Sequence, residues 1–213
     1  MLHLILDNGH GVDTRGKRSP DGRLREYAYC RDIVRQICEQ LERYADIACH
    51  VLVPEETDVP LEDRCRRTNA LCKQYGVSDC VAVSVHNNAA GNGGWMTARG
   101  WSVWVYRNGS TRSRKLGGLM YDHCTALGYK ARRPRPDQKY WDCGFYILKH
   151  TDCPAVLTEN FFQDNADDVD FLLSEEGRRA VVDIHVHAIL DYYKAVYGKE
   201  PALKISPDGC RMS

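Results

Sequence analysis

The chain has 213 residues, and its 29 lysines and arginines balance its 29 aspartates and glutamates. This length suits one domain that buries roughly 70% of its unfolded surface, and the balanced charge argues against a nucleic-acid-binding protein. No apolar run approaches the length of a membrane span.

Taken in chain order, the apolar patterns predict alternating strands and helices. The expected elements are a strand at 2–6, a helix at 24–44, a strand at 48–53, a helix at 60–75, strands at 81–85 and 101–106, a helix at 110–127, strands at 145–148 and 155–158, and helices at 167–173 and 174–197. Polar segments predict loops at 87–100 and 130–142. The alternation predicts an α/β fold, a single domain over 1–197 with a tail over 198–213. Its mostly parallel, twisted sheet should have about six strands, with helices on both faces.

The start of the chain and the cysteines indicate the cellular compartment in which the protein is expected. The first predicted strand begins almost at Met1, so we expect no signal peptide, and either the protein is made without a classical export signal or the chain has been trimmed. None of the ten cysteines forms a Cys-x-x-Cys pair, which predicts buried, reduced thiols rather than a thiolate zinc site. Cys210, in the tail, is expected to be exposed.

Three predicted strands end at residues that can bind a metal or move a proton. The first leads into Gly9-His10-Gly11, the third into His86, and the strand at 155–158 into Glu159. Glu26 opens the helix that follows the first strand. Parallel strands present their carboxyl ends at one sheet edge, where ligands bind in such folds. These two imidazoles and two carboxylates are therefore expected to converge.

Two histidines and one carboxylate are a frequent ligand set for a hydrolytic zinc ion, one per chain here. A second carboxylate is then needed as general base and acid. The residues alone do not distinguish the two glutamates. Taken singly, His10 also fits an ordinary loop residue, and Glu26 fits a charge that complements the helix dipole.

The same segments resemble the zinc-dependent N-acetylmuramoyl-L-alanine amidases of the amidase-3 family. The likeness spans almost the whole chain, with every motif in order. It is carried by Gly9-His10-Gly11, by Leu24-Arg25-Glu26, by Ser84-Val85-His86-Asn87-Asn88-Ala89, by Pro154 to Glu159 with Phe162 and Asn165, and by Leu61, Arg64 and Asn69.

The resemblance implies that His10, Glu26 and His86 bind zinc and that Glu159 is catalytic. It also implies cleavage of the amide between N-acetylmuramic acid and L-alanine of the peptidoglycan stem peptide. With no export signal expected, a phage or prophage lysin is the anticipated setting. The alternatives are a zinc peptidase with a similar site and a silent wall-binding or regulatory domain. The oligomeric state is left open.

The chain departs from the family pattern beside the site. Asn8 stands where a proline is usual, and Asn160-Phe161 replaces Leu-Gly after Glu159. No helix-long insert that would plug the site is expected.

Three further residues are candidate substrate contacts, namely Asn87, Trp95 and Arg133. Arg133 belongs to a basic segment, 130–139, that fits a solvated loop equally well. Trp95 equally fits a packed surface aromatic. If it instead lines the cleft, its glycine-rich loop is expected to be a mobile wall.

Overall fold

The computed structural model describes residues 1–204; Cys210 and the rest of segment 205–213 lie outside the described residues. Within 1–204 one sheet has six strands: β1 Leu2–Asn8, β2 Ile47–Val51, β3 Cys80–Asn88, β4 Ser102–Tyr106, β5 Trp141–Cys143 and β6 Ala155–Phe162. Their order is β2-β1-β3-β6-β4-β5. The first four in that order are parallel, β4 is antiparallel to β6, and β5 is parallel to β4. The predicted fold class, a mostly parallel sheet in one α/β domain, is confirmed.

Helices cover both faces of this sheet. They are α1 Glu26–Leu41, α2 Leu61–Tyr75, α3 Thr111–Ala126, α4 Tyr146–Lys149, α5 Ala166–Leu173 and α6 Glu175–Tyr197. The side chains of α1, α3 and α6 join one hydrophobic cluster with the sheet, and those of α2 and α4 join clusters on the opposite face. No helix in this described part has both the length and the apolarity to span a bilayer.

The apolar run of β1 explains why the site begins where it does. Leu4 and Leu6 enter the cluster with α1, whereas Ile5 enters the cluster on the α2 face. A parallel strand covered on both faces is apolar throughout, and each such side chain contributes about 1.5–3 kcal/mol by burial. The run stops where the chain leaves the sheet at its carboxyl edge.

The region 141–149 differs from expectation. The predicted strand at 145–148 is wrong, since Tyr146–Lys149 forms the helix α4. Trp141–Cys143 forms the edge strand β5, although 141–142 is predicted as the end of a loop. Ile147 and Leu148 are both buried against α2 and β6, and periodicity cannot distinguish a strand from a buried helical turn in so short an apolar run.

Two strands extend further than expected, and the predicted tail is partly attached. β3 continues past His86 and β6 past Glu159, so both residues lie inside strands and pair with each other in the parallel register. The first part of the tail returns to the domain, where Ala45 N–H donates to the Ala202 carbonyl at 2.7 Å.

Candidate metal and catalytic site

Three potential metal ligands meet at the carboxyl edge of β1 and β3. His10 lies two residues beyond β1, His86 lies in the neighbouring β3, and Glu26 is the first residue of α1. The Glu26 Oε1 atom is 3.4 Å from His10 Nε2 and 3.2 Å from His86 Nδ1. One potential ligand atom from each residue lies within 4.8 Å of the others. The imidazoles keep 20% and 17% of their surface exposed while Glu26 keeps none, so the group is open to solvent on the histidine side only.

The glycines that flank His10 are required by close approach. A Cβ on Gly9 would lie 2.4 Å from His86 Nδ1, and a Cβ on Gly11 would lie 2.0 Å from the Asp58 backbone nitrogen. Between them His10 has φ 60, in the left-handed region, which costs roughly 1–2 kcal/mol for a residue with a side chain. The Gly-His-Gly segment therefore brings two imidazoles together at some cost in backbone strain.

The Glu26 carboxylate is fixed by four groups. Its Oε1 faces both imidazoles and accepts the Asn87 backbone N–H at 3.0 Å, and its Oε2 accepts Gln163 Nε2 at 3.1 Å. Burial would raise the pKa of this carboxyl. The hydrogen bonds and charges of His10 and His86 outweigh burial and hold the pKa of Glu26 well below its usual range. The group is therefore an anion.

A buried relay fixes the tautomer of His86. Arg64 Nη1 donates to Asp7 Oδ1 at 2.6 Å, the Ser84 hydroxyl donates to Asp7 Oδ2 at 2.5 Å, and His86 Nε2 lies 3.1 Å from that same hydroxyl oxygen. Since the Ser84 proton goes to the carboxylate, Ser84 can only accept from His86. His86 therefore donates from Nε2 to Ser84, and Nδ1, which faces Glu26 at 3.2 Å, is the nitrogen left for a metal.

Glu159 lies beside His86 as its register partner on β6. Its Oε2 is buried and has no hydrogen-bond partner among residues 1–204. Burial, with a smaller contribution from the charge of Glu26, raises the pKa of Glu159 to about 7, against the opposing charges of His86 and Lys17. A carboxyl in this range can both take and return a proton near neutral pH.

The residues that depart from the family pattern have structural roles. The Asn160 side chain donates to the His86 carbonyl at 3.0 Å and accepts the Trp101 indole N–H at 2.7 Å, so it ties β6 to β3 and to the start of β4. Phe161 has φ 62, the backbone conformation that favours the glycine usual here. Asn8 donates to the Val53 carbonyl at 3.1 Å and thereby joins the end of β1 to the segment after β2.

The three predicted substrate contacts are in different surroundings. Asn87 is buried, and its amide donates to the Asn160 carbonyl at 2.6 Å. Trp95 is 45% exposed, on a loop that the Asp164 carboxylate holds by two backbone N–H groups. Arg133 donates to the carbonyl of Pro136, in its own loop. Trp95 and Arg133 are both exposed, and the loop of Trp95 is tethered at its base.

The sequence assigned no role at the site to several supporting residues. Asp7, Ser84 and Arg64 form the relay to His86, and Gln163 holds Glu26. A charged residue inside an otherwise apolar strand, as at Asp7, is the one local sign that a buried partner exists. Its partner lies 57 positions away in the chain, so no spacing pattern reveals it.

Comparisons with known proteins agree with the geometry. The family model Amidase_3, described as N-acetylmuramoyl-L-alanine amidase, matches residues 4–191. The endolysin of Bacillus phage SPP1 is 28% identical over 193 residues, covering 90% of this chain and 66% of the relative. The amidase CwlM of Bacillus licheniformis is 21% identical over 190 residues, covering 89% and 68%. The chain thus spans about two thirds of the length of these curated relatives.

Solved structures share the fold. The N-acetylmuramoyl-L-alanine amidase of Clostridium difficile 630 superposes with a TM-score of 0.77 at 24% identity, covering 91% of this chain and 97% of the other. The catalytic domain of CwlV from Bacillus (Paenibacillus) polymyxa var. colistinus gives a TM-score of 0.75 at 19% identity, covering 91% and 99%.

Proposed function

Because the chain belongs to the Amidase_3 family of N-acetylmuramoyl-L-alanine amidases, we propose that it is a zinc-dependent peptidoglycan hydrolase. The bond that it cuts is the amide between N-acetylmuramic acid and L-alanine of the stem peptide. The observation that carries the proposal is the meeting of His10, Glu26 and His86 beside Glu159. A domain that only bound the wall would not need a buried carboxyl with a raised pKa next to that group.

The three ligand residues fit a zinc ion. Zinc binds histidine nitrogen and carboxylate oxygen at about 2.1 Å, so adjacent ligand atoms of a tetrahedral site lie about 3.4 Å apart. The Glu26 oxygen lies 3.4 and 3.2 Å from the two nitrogens. His86 has its free nitrogen turned inward because Ser84 holds the other. Three protein ligands would leave one position open, as in hydrolytic zinc sites.

The chemistry divides between the metal and the chain. When bound by these residues, zinc would lower the pKa of a water molecule and polarise the scissile carbonyl. Glu159 takes the water proton as general base and returns it to the leaving nitrogen of L-alanine as general acid. Its unpartnered Oε2 and its pKa of about 7 suit both steps. Glu26 stays ionised, and the relay from Arg64 keeps His86 oriented.

The setting we propose is a phage or prophage lysin that is made in the bacterial cytoplasm and acts on the cell wall. Similarity to the SPP1 endolysin supports this setting.

Digestion of purified peptidoglycan tests the proposed function. We expect new free L-alanine amino groups without new reducing sugars, because the amide is cut and the glycan is not. His10→Ala should lose both zinc and activity. New reducing ends, or cleavage of plain peptides with muramoyl peptides left intact, would refute the proposal.

A further inference from the structure

A cleft of about 350 Å³ is lined by residues 12–18 together with Arg25 and Tyr27. The loop that forms it connects His10 to Glu26, so two of the three ligands stand at its ends. The Lys17 carbonyl accepts the Glu26 backbone N–H at 3.0 Å. The cleft is therefore tied directly to the site through the backbone.

The cleft is strongly positive. Arg15, Lys17, Arg18 and Arg25 line it, and no ion pair to any of these four occurs within residues 1–204. The single acid in the lining, Asp13, accepts the Asp58 backbone N–H at 2.7 Å. In a chain with no net charge, four cations around one cleft produce a local positive potential that attracts anions.

This arrangement differs from the other basic segment, residues 130–139. There Arg135 pairs with Asp137 at 3.2 Å, Lys139 pairs with Asp122 at 2.6 Å, and Arg133 donates to a backbone carbonyl. These three charges are already engaged within the domain, whereas those of the cleft remain available. The positive charge of Lys17 also acts on Glu159, where it opposes the rise in pKa.

The backbone of the cleft loop is held in place. Arg18 and Arg25 form an antiparallel bridge, Ser19 N–H donates to the Leu24 carbonyl at 2.9 Å, and Val12 N–H donates to the Glu56 carbonyl at 2.8 Å. A loop fixed in this way presents its cations with little ordering cost on binding.

We propose that this cleft is a subsite for the carboxylates of an acidic stem peptide, next to the amide that is cut. The assignment rests on the proposed function, because it takes the peptide side of that substrate as the occupant. Arginine is suited to the role, since its guanidinium pairs with carboxylates in a bidentate manner. The subsite would make the enzyme prefer stem peptides with a free carboxylate over amidated ones.

Equilibrium binding to the Glu159→Gln protein tests this without relying on catalysis. Muramoyl-L-alanyl-D-glutamate and its uncharged diamide, in which both glutamate carboxyls are amidated, would each be titrated by calorimetry. The variant Arg15→Gln/Arg18→Gln/Arg25→Gln removes three exposed cations and spares Lys17. The matched control Arg133→Gln/Arg135→Gln/Lys139→Gln removes the same charge from the other basic loop. Thermal unfolding checks that both variants fold.

The free-acid peptide should bind roughly tenfold more weakly to the cleft variant, because several partly solvated ion pairs are lost and each contributes up to roughly fivefold. The amidated peptide and the control variant should change less than twofold. The subsite would be overturned if the cleft variant lost equal affinity for both peptides, if the control variant lost as much affinity as the cleft variant, or if neither variant lost affinity. If the unsubstituted protein fails to cleave peptidoglycan, the proposed function is refuted. The difference in affinity between the two peptides still shows separately whether the cleft binds carboxylates.

Discussion

Asp7→Asn should weaken metal binding by reversing the hydrogen bonds that fix His86. In the native relay Asp7 accepts from Arg64 and from Ser84. The asparagine oxygen must face the Arg64 guanidinium, because an NH₂ group there would oppose a donor with another donor. Its NH₂ group then points at Ser84, so the Ser84 hydroxyl accepts from the asparagine and donates to His86 Nε2. The imidazole proton moves to Nδ1, the atom that faces Glu26.

The magnitude follows from the position of that proton. A proton on Nδ1 blocks the ligand atom, and loss of a partner behind a metal ligand typically reduces metal affinity 10- to 100-fold, or about 1.4–2.7 kcal/mol. Asp7 is 3% exposed. Removing its charge from the pair with Arg64 should also lower the free energy of unfolding by about 1–3 kcal/mol.

Chelator competition for zinc measures the affinity, and nitrogen NMR of the histidines reports the tautomer directly. Asp58→Asn is the matched control, because Asp58 also pairs with Arg64, at 2.8 Å, and does not contact Ser84. We expect Asp58→Asn to keep zinc affinity within about threefold, since it leaves the relay unchanged. Equal effects of the two variants, or a native tautomer in Asp7→Asn, would refute the relay.

Three further changes test other parts of the account. Gln163→Leu removes the donor to Glu26 Oε2 and should weaken zinc binding roughly tenfold in a chelator titration; unchanged affinity would contradict this. Phe161→Gly should unfold more easily than wild type in urea, because losing a buried ring costs about 3–5 kcal/mol and relieving φ 62 returns roughly 1–2 kcal/mol. It should nevertheless be about 1 kcal/mol more stable than Phe161→Ala, whereas a glycine variant is usually less stable than the alanine variant. Burial lowers the pKa of His185 to about 4, so the unfolded state takes up a proton first as pH falls below about 6.5, and stability drops by about 3 kcal/mol between pH 6.5 and 4. The free energy of unfolding of His185→Gln and of wild type, measured over that pH window, should differ by this loss. Identical pH profiles of the two proteins would exclude it.

The sequence predicts the parallel centre of the sheet well because its strands are covered on both faces. Such strands are apolar throughout, so the runs that become β1, β3 and β6 stand out from the amphipathic helices between them. Once those three strands are parallel, their carboxyl ends share an edge, and His10, His86 and Glu159 follow.

The periphery of the sheet was less predictable. Strand direction depends on long-range pairing, so nothing local shows that β4 is antiparallel to β6. The three-residue strand β5 owes its existence to pairing with β4 and resembles a polar loop in sequence. The polar residue Asn160 suggests that β6 has ended, yet it lies buried within the strand because its amide donates to the His86 carbonyl.

The supporting network of the site was not predictable from spacing. Arg64, on α2, reaches β1, and Gln163, after β6, reaches α1. Each partner is defined only by the folded arrangement of elements far apart in the chain. The residues alone did not indicate which glutamate is the metal ligand and which is the general base, and the family resemblance supplied that distinction. The surroundings of Glu26 and Glu159 differ in a way that fits it. Glu26 is fixed by donors, whereas Glu159 retains an unpartnered oxygen.

The central claim is that Glu159 moves the proton while the other three residues hold the metal. The most direct measurement is turnover of a muramoyl peptide by Glu159→Gln protein whose zinc content has been determined in the same sample. The account predicts about one zinc per chain and a rate lowered by roughly 10²–10⁴-fold, the usual contribution of a general base. Turnover at the native rate with zinc bound would contradict it.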